Sequence, residues 1–162
     1  MPALRPAPEW QTGPWLNSDQ PLSLAAFRGR VVALHAFQML CPGCVQHGLP
    51  QAQRIARLFD ASRVAVVGLH TVFEHHDVMT PDALAVFVRE YRLTFPIGID
   101  LPAETGSIPR TMAAYQMQGT PTLILIDRAG RLRKQSFGVE DDMRVGADIA
   151  FLLAEQGADH DP

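Results

Sequence analysis

The stretch "RVVALHAFQMLCPGCVQHGLPQA" narrows the possible folds more than any other part of the chain. Its opening run is continuously apolar and β-branched, the pattern of a strand buried on both faces. Two cysteines separated by two residues, Cys41 and Cys44, follow at once. From Pro42 to about Phe59, the apolar residues Val45, Leu49, Ile55 and Leu58 recur at roughly helical spacing, and Pro50 predicts a kink. "SRVAVVGLHT" then reads as a second buried strand. Strand, helix and strand make a βαβ unit, which requires a parallel pair with a right-handed crossover.

Further elements extend that unit. Residues 1–20, rich in Pro, Trp and polar side chains, are expected to lie over the domain as an arm, and 21–155 form the single domain. "PLSLAAFRG" reads as a short strand and turn. Thr80, Pro81 and Asp82 supply an N-cap, a first-turn proline and an early acid for a helix to about Arg92. "FPIGID" is a short strand, "SIPRTMAAYQM" a short helix, "TPTLILID" a strand, "RAG" a turn and "RLRKQSFG" an alternating, half-exposed strand. A last helix, about Asp142 to Glu155, carries Val145, Ile149, Leu152 and Leu153 on one face, and residues 156–162 are a polar tail. The fold class is α/β, a central mixed sheet flanked by helices on both faces.

At 162 residues the chain suits one domain that needs no staple to fold. With 47% apolar residues, 19% charged and a net charge of −3, it lacks the basic excess that phosphate backbones attract, so nucleic acid is not an expected partner. No stretch approaches 18 uninterrupted apolar residues, so membrane insertion is not expected. The start lacks the apolar core of a signal peptide, which predicts a cytoplasmic protein, or a periplasmic one if a targeting segment has been removed. Bridges that form in a reducing cytosol are usually transient and catalytic, which favours chemistry over a structural staple. A strand ending in C-x-x-C and turning into a helix sets the first cysteine among unpaired N–H groups and the positive end of the dipole. The thiolate is the attacking species. Cys44, one turn on, is expected to be buried and to keep its proton until needed, while the spacing lets both sulfurs bond without backbone movement.

The strand, "CPGC", the kinked helix and, about eighty residues later, "GTPTLILIDRAGRL" together resemble the thioredoxin superfamily over Pro21 to Leu153. The chain is most similar to the TlpA-like branch of redoxins, broadly grouped as AhpC/TSA-like. "VVGLHTVFE", "FPIGID" and "FGVEDD" resemble thioredoxin-like domains attached to DsbD-type electron carriers. The resemblance implies a thioredoxin fold and a thiol-disulfide oxidoreductase acting on protein thiols and disulfides, supplied by an upstream electron donor or acceptor. Cys41 would be the nucleophile and Cys44 the resolving cysteine, with Pro42 and Gly43 at the substrate-facing turn. Pro121 matches a proline held in cis opposite the motif, and Thr120 would offer its backbone to an extended substrate segment. No cofactor is implied.

The chain departs from the family pattern in several places. His35 stands six residues before Cys41, where thioredoxins carry a buried acid; by strand alternation it should face the active-site helix, where a neutral imidazole could take the proton of Cys44. Otherwise it is a satisfied core histidine. His47 is expected to be an exposed helical residue. Pro50 falls six residues after Cys44 instead of five, which predicts one inserted residue, such as a π-bulge. Leu40 replaces the usual tryptophan, giving a more aliphatic rim. His70, His75 and His76 are expected in a solvated loop, and no metal site is assigned, although copper capture by Cys41, Cys44 and one histidine, or a redox sensor on the same pair, remain the alternatives. Gln38 and Leu34 stand where peroxiredoxins need a hydroxyl residue and a proline, so the peroxide site is missing. Glu140, Asp141 and Asp142 either select charged partners or simply start a helix.

Overall fold

The computed structural model describes residues 3–155, so the polar tail at 156–162 lies outside the described residues. In chain order the elements are β1 (Thr12–Leu16), a 3₁₀ turn (Leu24–Phe27), β2 (Val31–Phe37), a π-helical segment (Cys44–Gly48) running into α1 (Leu49–Leu58), β3 (Val64–His70), α2 (Pro81–Glu90), β4 (Ile97–Asp100), α3 (Arg110–Ala114), β5 (Thr122–Ile126), β6 (Leu132–Phe137) and α4 (Asp142–Ala154). The six strands make one mixed sheet in the order β1-β4-β3-β2-β5-β6. β2 and β3 pair in parallel from Val31↔Val64 to Phe37↔His70, as a right-handed βαβ unit requires. β5 runs antiparallel to both β2 and β6, which closes the mixed sheet.

Every residue of β2, β3 and β5 is buried, because helices or chain segments cover both faces. Alternation sorts their side chains. Val31, Ala33, Phe37, Val64, Val66, Leu123 and Leu125 pack with α1, α2 and α4, whereas Val32, Leu34, Ala36, Val67, Ile124 and Ile126 meet Trp10, Phe27, Met112 and Tyr115 on the other face. Leu84, Ile97, Ile124, Leu125, Ile126 and Ile149 are each under 2% exposed. At about 1.5–3 kcal/mol per buried side chain, these six outweigh the about 2–4 kcal/mol of one disulfide. Both cysteines are free in this fold, so no cross-link between them is part of the packed core.

Three expectations need correction. The N-terminal segment does more than lie over the domain: Thr12–Leu16 adds an edge strand antiparallel to β4, and Trp10 is buried 6.1 Å from the Trp15 ring and 5.7 Å from that of Phe27. "PLSLAAFRG" forms a 3₁₀ turn in place of a strand, with Leu24 and Phe27 buried. His70 lies outside the solvated loop; it is the last residue of β3 and only 2% exposed. The inserted residue, by contrast, is found where the proline spacing put it, as the π-helical turn Cys44–Gly48. Among the described residues no helix is long and apolar enough to cross a membrane.

Candidate active site

β2 leaves the sheet at Phe37, and a short loop carries the chain to the helix that begins at the motif. That loop is pinned to the end of β3. Thr71 N–H donates to Phe37 O at 3.1 Å, Met39 N–H to His70 Nε2 at 3.3 Å, and Phe73 N–H to the buried Gln38 Oε1 at 3.2 Å. His70 therefore acts as a fixed acceptor under the motif loop, and burial pushes its pKa down to about 4, so it stays neutral. Cys41 N–H donates to Gln38 O at 3.2 Å, which sets the first cysteine at the mouth of the turn.

Both cysteines are free thiols, and their environments differ. Cys41 is half-buried, and its Sγ accepts the Cys44 N–H at 3.2 Å, one of the N–H groups a helix start leaves unpaired. The Cys41 thiol also donates to Thr120 O at 3.5 Å. Cys44 is 0% exposed. Burial first, and then its contact with Cys41, pushes the Cys44 thiol up to about 12, although the Gln38 backbone and Thr120 pull the other way. At pH 7 that corresponds to about 7 kcal/mol against the thiolate. Forming a thiolate at Cys44 therefore requires a base to take its proton.

The Thr120–Pro121 bond is cis, as the motif predicted, and the proline sits against the helix start. A Cβ built on Gly43 would lie 3.2 Å from Pro121 Cδ, and one on Gly48 would lie 3.1 Å from Pro121 Cβ. Two glycines, one in the motif and one at the end of the π-turn, thus let Pro121 approach the helix. Gly48 carries no sequence signal of its own beyond the extra residue before Pro50. Pro42 is exposed and Leu40 is 59% exposed at the rim, so an aliphatic lip lies next to Cys41.

His35 faces the helix side, as alternation predicted. It pairs across the sheet with Leu123 and lines a cavity of about 270 Å³ with Gly48, Gln51, Pro121 and Glu140. It is 3% exposed, and burial outweighs the approach of Gln51 and the Ala33 backbone to push its pKa down to about 4. Gln51 comes near, yet neither ring nitrogen makes a hydrogen bond of good geometry among the described residues. His47 is exposed at the same cavity.

The three acids have separate tasks. Asp141 caps α4, accepting from Met143 and Arg144 N–H at 3.0 and 3.2 Å. Asp142 is gripped from α1 by Arg54 Nε at 2.7 Å and Gln51 Nε2 at 3.0 Å. Glu140 puts Oε1 on Lys134 Nζ at 2.7 Å, while its buried Oε2 has no partner among the described residues. His75 and His76 are exposed, and among the described residues no three His, Cys, Asp or Glu side chains gather as a metal site.

The sequence profile of the AhpC/TSA family matches residues 4–135. A solved thioredoxin-like superfamily protein is 55% identical, with 95% of this chain and 99% of that one covered, at a TM-score of 0.92. A thiol-disulfide isomerase from Corynebacterium glutamicum is 51% identical over 93% of this chain and 97% of its own, at a TM-score of 0.90. StoA from Bacillus subtilis, 23% identical over 78% of this chain and 86% of its own, shares the fold at a TM-score of 0.62. No curated protein matches the chain.

Proposed function

The chain belongs to the AhpC/TSA family, and within it we propose a dithiol–disulfide oxidoreductase of the TlpA-like branch that exchanges two electrons with protein partners through Cys41 and Cys44. The observation that carries this reading is the asymmetry of the pair. One sulfur is half-buried and receives a helix-start N–H at 3.2 Å, while the other is fully buried with its thiol pushed up to about 12. A nucleophile within reach of partners and a resolving thiol held in reserve are what a mixed-disulfide cycle needs.

When the pair reduces a partner, the Cys41 thiolate attacks the partner disulfide and expels one partner thiolate, leaving a mixed disulfide. Cys44 then loses its proton, attacks Cys41 Sγ and expels the second partner thiolate. The partner has gained two electrons and the enzyme carries the Cys41–Cys44 disulfide. The reverse sequence reloads the pair from an upstream dithiol. Thr120, Pro121, Pro42 and Gly43 shape the edge on which the partner segment lies, and the aliphatic Leu40 selects apolar neighbours of the target cysteine. Gln38 and Leu34 stand where a peroxidase site would need a hydroxyl residue and a proline, so peroxide is not the substrate despite the family's breadth.

His35 takes the Cys44 proton. It shares the sheet face of Ala33 and Phe37, which packs with Cys44, and it borders Gly48, one turn beyond that cysteine. Its depressed pKa keeps the imidazole neutral and able to accept. Because burial disfavours the imidazolium, the ring does not hold an extra proton at rest, so acceptance at one nitrogen is coupled to loss from the other. The setting is a periplasmic or other exported compartment if the chain is delivered there, and the cytoplasm otherwise.

The test is the fraction of Cys41–Cys44 disulfide across a series of glutathione and dithiothreitol redox buffers, trapped by alkylation and counted by mass. A reversible two-electron transition with a midpoint between about −270 and −120 mV is expected. Failure to form the bridge in any buffer refutes the reading, and bound copper blocking alkylation would put the metal-binding alternative in its place.

A further inference from the structure

Two buried polar groups line one cavity without partners. His35 leaves both ring nitrogens unpaired, and Glu140 leaves Oε2 unpaired, among the described residues. They come from different elements, β2 and the loop between β6 and α4, and the cavity of about 270 Å³ between them has room for several waters. The surrounding ionic groups are already engaged. Lys134 holds Oε1 of Glu140 and also pairs with Asp148, Arg54 holds Asp142, and Asp141 caps α4. His47 stands at the cavity with its side chain exposed. A buried carboxylate oxygen normally finds a donor, because leaving it unpaired costs about 1–3 kcal/mol or more. A cavity of this size admits water to both groups.

We propose that this cavity is the proton conduit of the resolving cysteine, with His35 as the shuttle and Glu140 as the outlet to solvent. The inference rests on the assignment of the Cys44 proton to His35 made above. As Cys44 attacks, its thiol proton enters one imidazole nitrogen while the proton on the other leaves through cavity water to Glu140 Oε2 and then to solvent. No electrons move along this path, and the ring ends in its other tautomer. When an upstream dithiol reduces the pair, Cys44 leaves as a thiolate and takes a proton by the same route in reverse, which restores the first tautomer. A ring with neither nitrogen fixed by the protein can make both moves; a tightly hydrogen-bonded one would favour a single tautomer. Glu140 touches no sulfur and acts only through His35.

A symmetrical aromatic disulfide separates the steps. It releases one coloured thiol when it loads Cys41, at a rate set by its concentration, and a second when Cys44 resolves, at a concentration-independent rate. Glu140→Gln in dilute buffer is expected to leave the first release unchanged and to slow the second about tenfold. Added imidazole at constant pH and ionic strength should restore it, because a small base can enter the cavity and carry the proton. A second release at the wild-type rate in E140Q, or a slow one that no small base restores, overturns the conduit. The underlying reading fails separately. An unchanged second release in His35→Leu removes His35 from the chemistry, whereas a slow one beside a normal E140Q removes only the outlet. Wild-type protein that releases a single thiol would refute the dithiol cycle itself.

Discussion

Mild acid should destabilise this protein well before its carboxylates are protonated, because two histidines are buried in the neutral form. His35 and His70 are 3% and 2% exposed, and burial pushes each from an ordinary value of 6.5 down to about 4. Their folded pKa values are lower than the unfolded ones, so the unfolded chain binds protons first as pH falls. The stability is present above 6.5 and is lost on descending towards 4. Between pH 8 and pH 5 the difference amounts to about 2 kcal/mol per histidine, or about 4 kcal/mol for the pair. Asp100, whose carboxyl burial raises, contributes with the opposite sign. The measurement is urea unfolding at pH 8 and pH 5 for the wild type, His35→Leu and His70→Gln. Each substitution should remove about half of the pH-dependent loss, whatever it does to stability at pH 8. A wild type that loses under about 1 kcal/mol, or variants that lose as much as the wild type, would refute the argument that both rings are held neutral by burial.

Cys44→Ser should trap partner proteins as stable mixed disulfides on Cys41, visible as adducts by mass spectrometry, while Cys41→Ser should form none; adducts on Cys44 would reverse the roles assigned to the pair. Gly48→Ala sets two effects against each other. Gly48 is in helical conformation, where alanine gains about 1 kcal/mol. The added methyl, however, meets Pro121 Cβ at 3.1 Å, and overpacking costs about 1–3 kcal/mol. Pro121 is held by the Gly138 N–H on its carbonyl at 2.8 Å and cannot retreat freely. A net loss of up to about 2 kcal/mol in urea unfolding is therefore expected, and a variant more stable than the wild type would show that the proline loop yields.

Much of the fold was legible because its signals are local. Seven consecutive apolar or buried residues in β2 and again in β3 announce strands covered on both faces, and the cysteines between them identify the helix start. Counting residues from Cys44 to Pro50 was enough to anticipate the π-turn at Cys44–Gly48. β1 was hidden because "TGPWL" contains Gly and Pro, which local propensity scores against a strand. At the sheet edge, with pairing on one side only to β4, that composition is tolerated.

Tertiary structure decided the rest, for reasons of register and approach. His70 belongs to the motif loop because the parallel register sets Phe37 beside it, and no spacing along the chain encodes that a histidine at residue 70 will accept the N–H of residue 39. Gly48 earns its place only where Pro121, more than seventy residues away, closes on the helix. Likewise, His35 and Glu140 are about a hundred residues apart in sequence, and only the folding of α1 and the loop before α4 over β2 brings them to one cavity. Composition and spacing are enough to say which atoms can carry electrons, since the chain has two thiols and their spacing lets them bond. Which thiol holds its proton, and which groups could move it, depends on burial and on long-range contacts, which only the packed chain provides.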